Sequence, residues 1–168
     1  MKPHKKTLSA TFHSIPEGKA GVLATLDAMK LLVHEYKKSL VIRELALSLT
    51  LDNLQKAYFS EVKAIHAYVR DKIRYVKDIR GIETLHTPET LLQLGQGDCD
   101  DKSTLTATLL ESIGHKTRFE AVGFRPGAFS HVLVSVKLGD KWLPLETTEP
   151  VGPGWYPPRV VEKIILEN

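Results

Sequence analysis

The chain has one cysteine among its 168 residues, Cys99. That excludes an internal disulfide and a cysteine-rich zinc site, and it suits a reducing compartment or a functional thiol. Apolar runs are short. None reaches the length needed to span a bilayer, and the opening Met1-Lys2-Pro3-His4-Lys5-Lys6 leads into no secretory apolar stretch, so a protein without a membrane span is expected, in the cytoplasm. Neither sign of charge dominates: Lys and Arg number 23, Asp and Glu 20, for a formal net charge of +3 that is interleaved rather than blocked. Such a surface is solvated by default, and nucleic acid is not an expected partner. Internal repeats and low-complexity segments are also missing. What is present is one domain's worth of chain, long enough to bury roughly two-thirds of the surface its unfolded form exposes without a staple.

Helical periodicity fills the N-terminal half. Residues 1 to 20, with Pro3, Pro16 and Gly18, lack a sustained period beyond the alternation Leu8, Ala10, Phe12 and are expected as an arm or an edge strand. From Gly21 the positions Val22, Leu23, Leu26, Met29, Leu32, Val33 and Tyr36 fit one face of a helix. A second helix follows over Val41 to Leu49, and a third, the longest, steps from Leu54 through Tyr58, Val62, Ile65, Tyr68, Val69 and Ile73 to Arg74. After an extended Tyr75-Val76 and a loop over Asp78 to Leu85, Thr87-Pro88-Glu89 opens a short helix. Thr87 is its N-cap, and Pro88 sits where its missing donor is not needed. The C-terminal half is strand-like over Thr117 to Gly123, His131 to Val136 and Lys141 to Leu145, with a Gly139-Asp140 hairpin turn. A Pro- and Gly-rich tail from Pro150 to Pro158 is irregular until Val160 to Leu166. Helices first and an antiparallel sheet second indicate an α+β domain, with the cysteine-bearing helix across the sheet.

That helix starts in Gly95-Gln96-Gly97-Asp98-Cys99-Asp100-Asp101-Lys102-Ser103, where a glycine-rich loop gives way to Leu105, Leu109, Leu110 and Ile113 at helical spacing, stopped by Gly114. Cys99 falls in the first turn with Asp98 as N-cap, and free amides there favour a thiolate. Asp98, Asp100 and Asp101 oppose it, so a nearby imidazolium is required. A lone cysteine is ordinarily a small buried hydrophobe, but polar and acidic neighbours are ordinary at the mouth of a site and unusual in a core.

His131 opens the Val132-Leu133-Val134 run after Pro126-Gly127-Ala128-Phe129-Ser130, a loop with the composition of a site rim. A strand from His131 through Gly139-Asp140 and back through Trp142-Leu143-Pro144-Leu145 returns Glu146 to the neighbourhood of His131. Cysteine, histidine and carboxylate on three elements meet the needs of a thiol nucleophile: a base, and a group that fixes the base's tautomer.

Taken in order, Gly97-Asp98-Cys99-Asp100-Asp101-Lys102-Ser103, Leu109-Leu110 with Ile113-Gly114, Ser130-His131-Val132 and Trp142-Leu143-Pro144-Leu145-Glu146-Thr147-Thr148 resemble the transglutaminase-like superfamily, and most closely its small bacterial and phage-borne members. The resemblance runs over roughly Val62 to Pro158. It implies a papain-like α+β core with Cys99 as nucleophile, His131 as general base and acid, and Glu146 as orienting acid where the family more often has aspartate. It also implies an oxyanion site from the Cys99 amide plus one side-chain donor, for which Gln93 and Gln96 are both candidates. Asp98 is a candidate for the cleft lining, and Trp155 either walls the cleft or covers the core. On this reading residues 1–52 are an arm and helical extension, 53–158 the core and 159–168 a tail.

No cofactor or metal is called for. The acidic cluster lacks the spacing that completes a calcium loop, and His66, His86 and His115 do not stand at zinc-ligand spacing. The expected activity is amide hydrolysis through an acyl-enzyme, by a peptidase or amidase acting on a peptide, protein or peptidoglycan-like substrate; cross-linking is disfavoured by analogy with the family. A catalytically silent peptide- or glycan-binding module, such as a phage structural component, is the rival from another class.

Overall fold

The computed structural model describes residues 18–52, 57–78 and 84–168. The arm expected over residues 1 to 20 falls almost wholly outside them, as does most of the loop between Asp78 and Leu85. Helix α1 (Gly18–Tyr36) buries Leu26, Met29 and Val33, and α2 (Leu40–Thr50) buries Ile42 and Ala46. Ser39 precedes α2 without capping it, because its hydroxyl donates to Glu89 Oε1 at 2.6 Å instead. Helix α3 (Tyr58–Lys72) buries Val62, Ile65, His66 and Val69. It stops short of the Arg74 expected from periodicity. Ile73 is already extended, because Arg74–Tyr75 (β1) pairs in parallel with Gln96–Gly97 (β2).

Helix α4 (Pro88–Leu94) lies between these two short strands. Its N-cap Thr87 accepts from the Thr90 amide, and Gly95 ends it in the left-handed conformation, φ 66°. Helix α5 (Cys99–Ser112) then runs through the middle of the molecule, with every residue from Asp100 to Leu110 buried. The apolar spacing predicts one buried face; the structure buries all of them. The threonines make this possible, since Thr104, Thr106 and Thr108 each donate to the carbonyl four residues back at 2.6–2.7 Å and pack as branched hydrophobes.

The sheet contains β3 (Thr117–Arg125), β4 (Ala128–Leu138), β5 (Lys141–Leu145) and β6 (Glu162–Glu167), all antiparallel in the order β5-β4-β3-β6. The rim loop expected over Pro126 to Ser130 shrinks to a turn at Pro126-Gly127, and β4 begins at Ala128. A bulge at Gly123 carries the ladder that far: Gly123 pairs with Phe129, and a Cβ there would meet the Ala128 carbonyl at 2.8 Å. Strand β6 turns the C-terminal segment into a fourth strand beside β3. On the opposite edge the Pro144 carbonyl accepts from the Gly154 amide at 2.8 Å. One apolar cluster joins Met29, Val33, Ile42 and Ala46 to Leu105, Leu109, Leu110, Phe119 and Val134, so the two N-terminal helices pack into the same core as the sheet.

Lys102 ties α5 to α3. Only 1% exposed, it donates to the carbonyls of Ile73 at 2.6 Å and Arg70 at 3.3 Å, which would otherwise be orphaned at the end of α3. Burial pushes its pKa down to about 8, with repulsion from Arg70 adding to this and attraction from Glu146 and Asp71 opposing it.

Two outcomes follow for stability. A Cβ on Gly97 would meet Asp101 Oδ2 and Leu91 Cδ1, both at 2.6 Å. Gly97→Ala is therefore expected to lose about 1–3 kcal/mol in urea denaturation, and an unchanged midpoint would contradict this packing. Between pH 8 and the ordinary lysine pKa the unfolded chain holds a proton at Lys102 that the folded chain has released. Folding stability should then rise with pH in that window, at up to about 1.4 kcal/mol per pH unit. Lys102→Met should flatten the rise; an equal slope in both proteins would show that the burial is not felt.

Candidate active site

The start of α5 is held from several sides. Asp98 Oδ1 accepts from the amides of Asp100 at 3.0 Å and Asp101 at 3.1 Å, and Asp101 Oδ2 accepts in return from the Asp98 amide at 3.4 Å, completing a capping box. Asp101 also receives the His86 amide at 2.8 Å and His86 Nδ1 at 2.9 Å. Upstream, β1 clamps the loop through Arg74 N–H to the Gly95 carbonyl and Val76 N–H to the Gly97 carbonyl. Cys99 is thus set at the first helical position, and its own amide is not used by the cap.

The thiol is half-buried, with Sγ 3.4 Å from Asp100 Oδ1. Burial is the largest influence on it and pushes its pKa up. The charges of Asp100 and Asp98 add to that, and the Val132 amide offsets only part. Asp98 is itself pushed up to about 6, first by burial and then by Asp101 and Asp78, against the amides it accepts. The acid-rich loop therefore resists a thiolate, as its composition suggested, and ionisation at neutral pH needs a cation from elsewhere in the fold.

His131 is one residue from Val132 on β4. Its Nε2 and Glu146 Oε2 are 2.6 Å apart, with the imidazole 16% and the carboxylate 1% exposed. Leu145, the last paired residue of β5, lies opposite Val134, so Glu146 is where the chain leaves the ladder. Its other oxygen, Oε1, accepts from the Thr148 amide and hydroxyl, both at 2.7 Å. Burial works against the Glu146 charge, but His131 and the two Thr148 donors outweigh it and hold the carboxyl below its usual range. With Nε2 engaged, Nδ1 is the ring nitrogen left for a second partner. The longer glutamate side chain reaches the histidine without difficulty.

The remaining sequence candidates are more scattered. Gln93 is exposed on α4, and Gln96 Oε1 accepts from Arg74 Nη2 at 2.5 Å. Trp155 is exposed in the turn after Gly154, where no hydrogen bond or ring contact joins it to Cys99, His131 or Glu146. The three histidines weighed as metal ligands go to separate places: His86 to Asp101, His115 to Glu61 at 2.8 Å, and His66 to the Glu146 carbonyl. Among the described residues, Asp98, Cys99 and Asp100 are the one group of three potential ligands, their atoms within 4.8 Å of one another, and Asp98 is already committed to the cap.

Tyr75 was not singled out from sequence. It ends β1 and is 43% exposed, and its pKa is raised first by partial burial and then by the charges of Cys99, Asp98, Asp100 and Glu146. His66 was weighed only as a metal ligand, although a histidine among Val62, Ile65 and Val69 on an apolar helix face was a readable signal for a buried polar contact.

The fold has clear relatives. A candidate protease from Parabacteroides distasonis superposes with a TM-score of 0.62 at 15% identity, over 83% of this chain and 31% of its own. A candidate cysteine protease from Cytophaga hutchinsonii gives 0.56 at 16% identity, over 84% and 52%. LapG of Legionella pneumophila gives 0.53 at 16% identity, over 76% and 73%. The chain thus spans about a third of the first relative's length and half of the second's. No curated protein matches it in sequence. The family model of the transglutaminase-like superfamily matches residues 44–147, more than half of the chain and all of the elements just described from α3 to Glu146. With its helices packed on a four-stranded antiparallel sheet and its single cysteine at the head of the central helix, the chain belongs to the transglutaminase-like superfamily.

Proposed function

We propose that the protein is a cysteine peptidase or amidase that hydrolyses an amide bond through Cys99, His131 and Glu146. The observation that carries this reading is the His131–Glu146 contact of 2.6 Å, made by the residue next to Val132, whose carbonyl accepts from Ser103 on the Cys99 helix at 3.2 Å. Glu146 holds the ring with Nε2 as donor, which leaves Nδ1 to take the thiol proton. The resulting imidazolium supplies the positive charge that the acidic loop lacks. The sulfur then attacks the amide carbonyl carbon, and the negative charge that develops on the oxygen meets the Cys99 amide and the positive end of α5. When the C–N bond breaks, His131 gives its proton to the leaving amine. Water, deprotonated by the same ring, attacks the thioester, releasing a carboxylic acid and restoring the thiol.

The candidate proteases among the structural relatives favour a peptide substrate. A second reading has its own observation: the thiol is half-buried beside Asp98 and Asp100, which suits an inert cysteine in a peptide- or glycan-binding module. The two differ in thiol chemistry.

Iodoacetamide alkylation of the native protein, followed by intact mass across pH, separates them, because the single cysteine makes each adduct unambiguous. The wild type is expected to react well below the ordinary cysteine pKa of about 8.5, and His131→Ala to lose that low-pH reactivity. Glu146→Gln should slow the low-pH reaction by about tenfold or more, since the amide no longer stabilises the imidazolium. An inert thiol, or identical profiles in wild type and His131→Ala, would hand the site to the binding-module reading. Against a library of quenched fluorescent peptides, Cys99→Ala should abolish cleavage with an unchanged thermal melt; retained turnover in that variant would remove Cys99 from the chemistry.

A further inference from the structure

We infer that His66, on the buried face of α3, is a positioning residue that fixes the His131–Glu146 pair by holding the main-chain carbonyl of Glu146. This rests on the catalytic reading above and names a residue on an element that carries none of the three reacting groups. His66 Nε2 lies 2.5 Å from the Glu146 carbonyl oxygen, and the side chain is fully buried. A carbonyl can only accept, so Nε2 carries the hydrogen and Nδ1 is a bare acceptor. That Nδ1 is buried with no hydrogen-bond partner.

A histidine is a poor choice for this place on packing grounds alone. Its neighbours on the helix face are Val62, Ile65 and Val69, and an apolar side chain would fill the space without stranding an acceptor. What the imidazole adds is the donor. Glu146 is one residue past the last ladder pair, Val134 with Leu145, so its carbonyl has left the sheet while still inside the protein. His66 supplies the partner that the ladder no longer provides.

Glu146 is then held at three points: one carboxylate oxygen by His131, the other by Thr148, and the main chain by His66. The side-chain contacts set which way the carboxylate faces, and the main-chain contact sets how far it stands from α5 and Cys99. Burial keeps the His66 ring neutral, against the hydrogen bond to Glu146; Arg70 on the same helix favours the neutral form further, while Asp71 and the Glu146 carboxylate oppose it. It therefore acts as a fixed donor and not as a second acid.

The test is the pH profile of Cys99 alkylation in His66→Phe and His66→Gln, each made in the wild-type and Glu146→Gln backgrounds, with His131→Ala alongside and thermal melts on all. His66→Phe is expected to lose roughly tenfold or more of the low-pH rate, as misplacement of a catalytic group does. His66→Gln, whose amide can still donate to the carbonyl, should keep most of it. In the Glu146→Gln background, His66→Phe should add little further loss, because both changes act through one residue. A folded His66→Phe with the wild-type profile would overturn the inference, and so would equal losses in the Phe and Gln variants or losses that simply multiply with Glu146→Gln. Where the Phe variant does not fold, His66→Asn, whose amide falls short of the carbonyl, takes its place with the same outcomes. If wild type and His131→Ala already coincide, the catalytic reading fails and this inference with it; if they differ and only the His66 variants are silent, this inference alone is lost.

Discussion

A carboxylate taken out of water must be met at each of its oxygens, and much of this molecule is arranged around meeting that demand at Glu146. The residue is 1% exposed yet keeps its charge, because His131 and Thr148 together outweigh the burial that would protonate it. Each partner comes from a defined place: His131 from β4 in the middle of the sheet and Thr148 from the segment that follows β5, while His66 on α3 meets the main-chain carbonyl of the same residue. The hairpin from β4 to β5 delivers the carboxylate, and the register Val134 to Leu145 determines where it arrives. A slip of one residue in that pairing would turn the side chains of β5 to the other face of the sheet.

The second constraint is the buried, polar start of α5. Three aspartates, a lysine, a serine and a threonine follow one another from Asp98 to Thr104 around Cys99, and the described structure finds partners for them inside the protein. Asp98 and Asp101 cap the helix reciprocally, Lys102 closes the end of α3, and Ser103 donates to the Val132 carbonyl at 3.2 Å. The Ser103 contact places α5 on the strand that carries His131. The groups that shield this helix start from water therefore also define where the sulfur sits relative to the sheet.

Much of this was legible in the chain. Thr87-Pro88 and Asp98 carry helix-start chemistry that needs no tertiary help, and both are N-caps in the structure. The Gly139-Asp140 turn and the alternation around it were enough to bring Glu146 back to His131. What was hidden depended on partners distant in sequence. The β1–β2 pair joins residues 22 apart and leaves no periodic trace in two-residue strands. The burial of α5 on all sides was masked by threonines, whose hydroxyls look polar until they bond back to their own helix. Lys102 and His66 belong to residue types more often found at the surface or half-exposed, and only the carbonyls they meet across the core explain why they lie inside.

The β5 margin of the sheet is finished in a way that bears on association. On β5 the Pro144 nitrogen has no hydrogen to offer, and its carbonyl is already taken by the Gly154 amide. On β6 the charged residues stand at the two ends, Glu162 and Lys163 before the apolar run Ile164-Ile165-Leu166 and Glu167 after it, and the Glu167 carbonyl accepts from Lys30 Nζ at 2.6 Å. At β5 the row of donors and acceptors that lets one chain add a strand to another is interrupted. An extended chain that reaches the β5 border therefore meets a missing donor and an occupied carbonyl, and has to be gripped there by side chains and loops and not by lengthening the ladder.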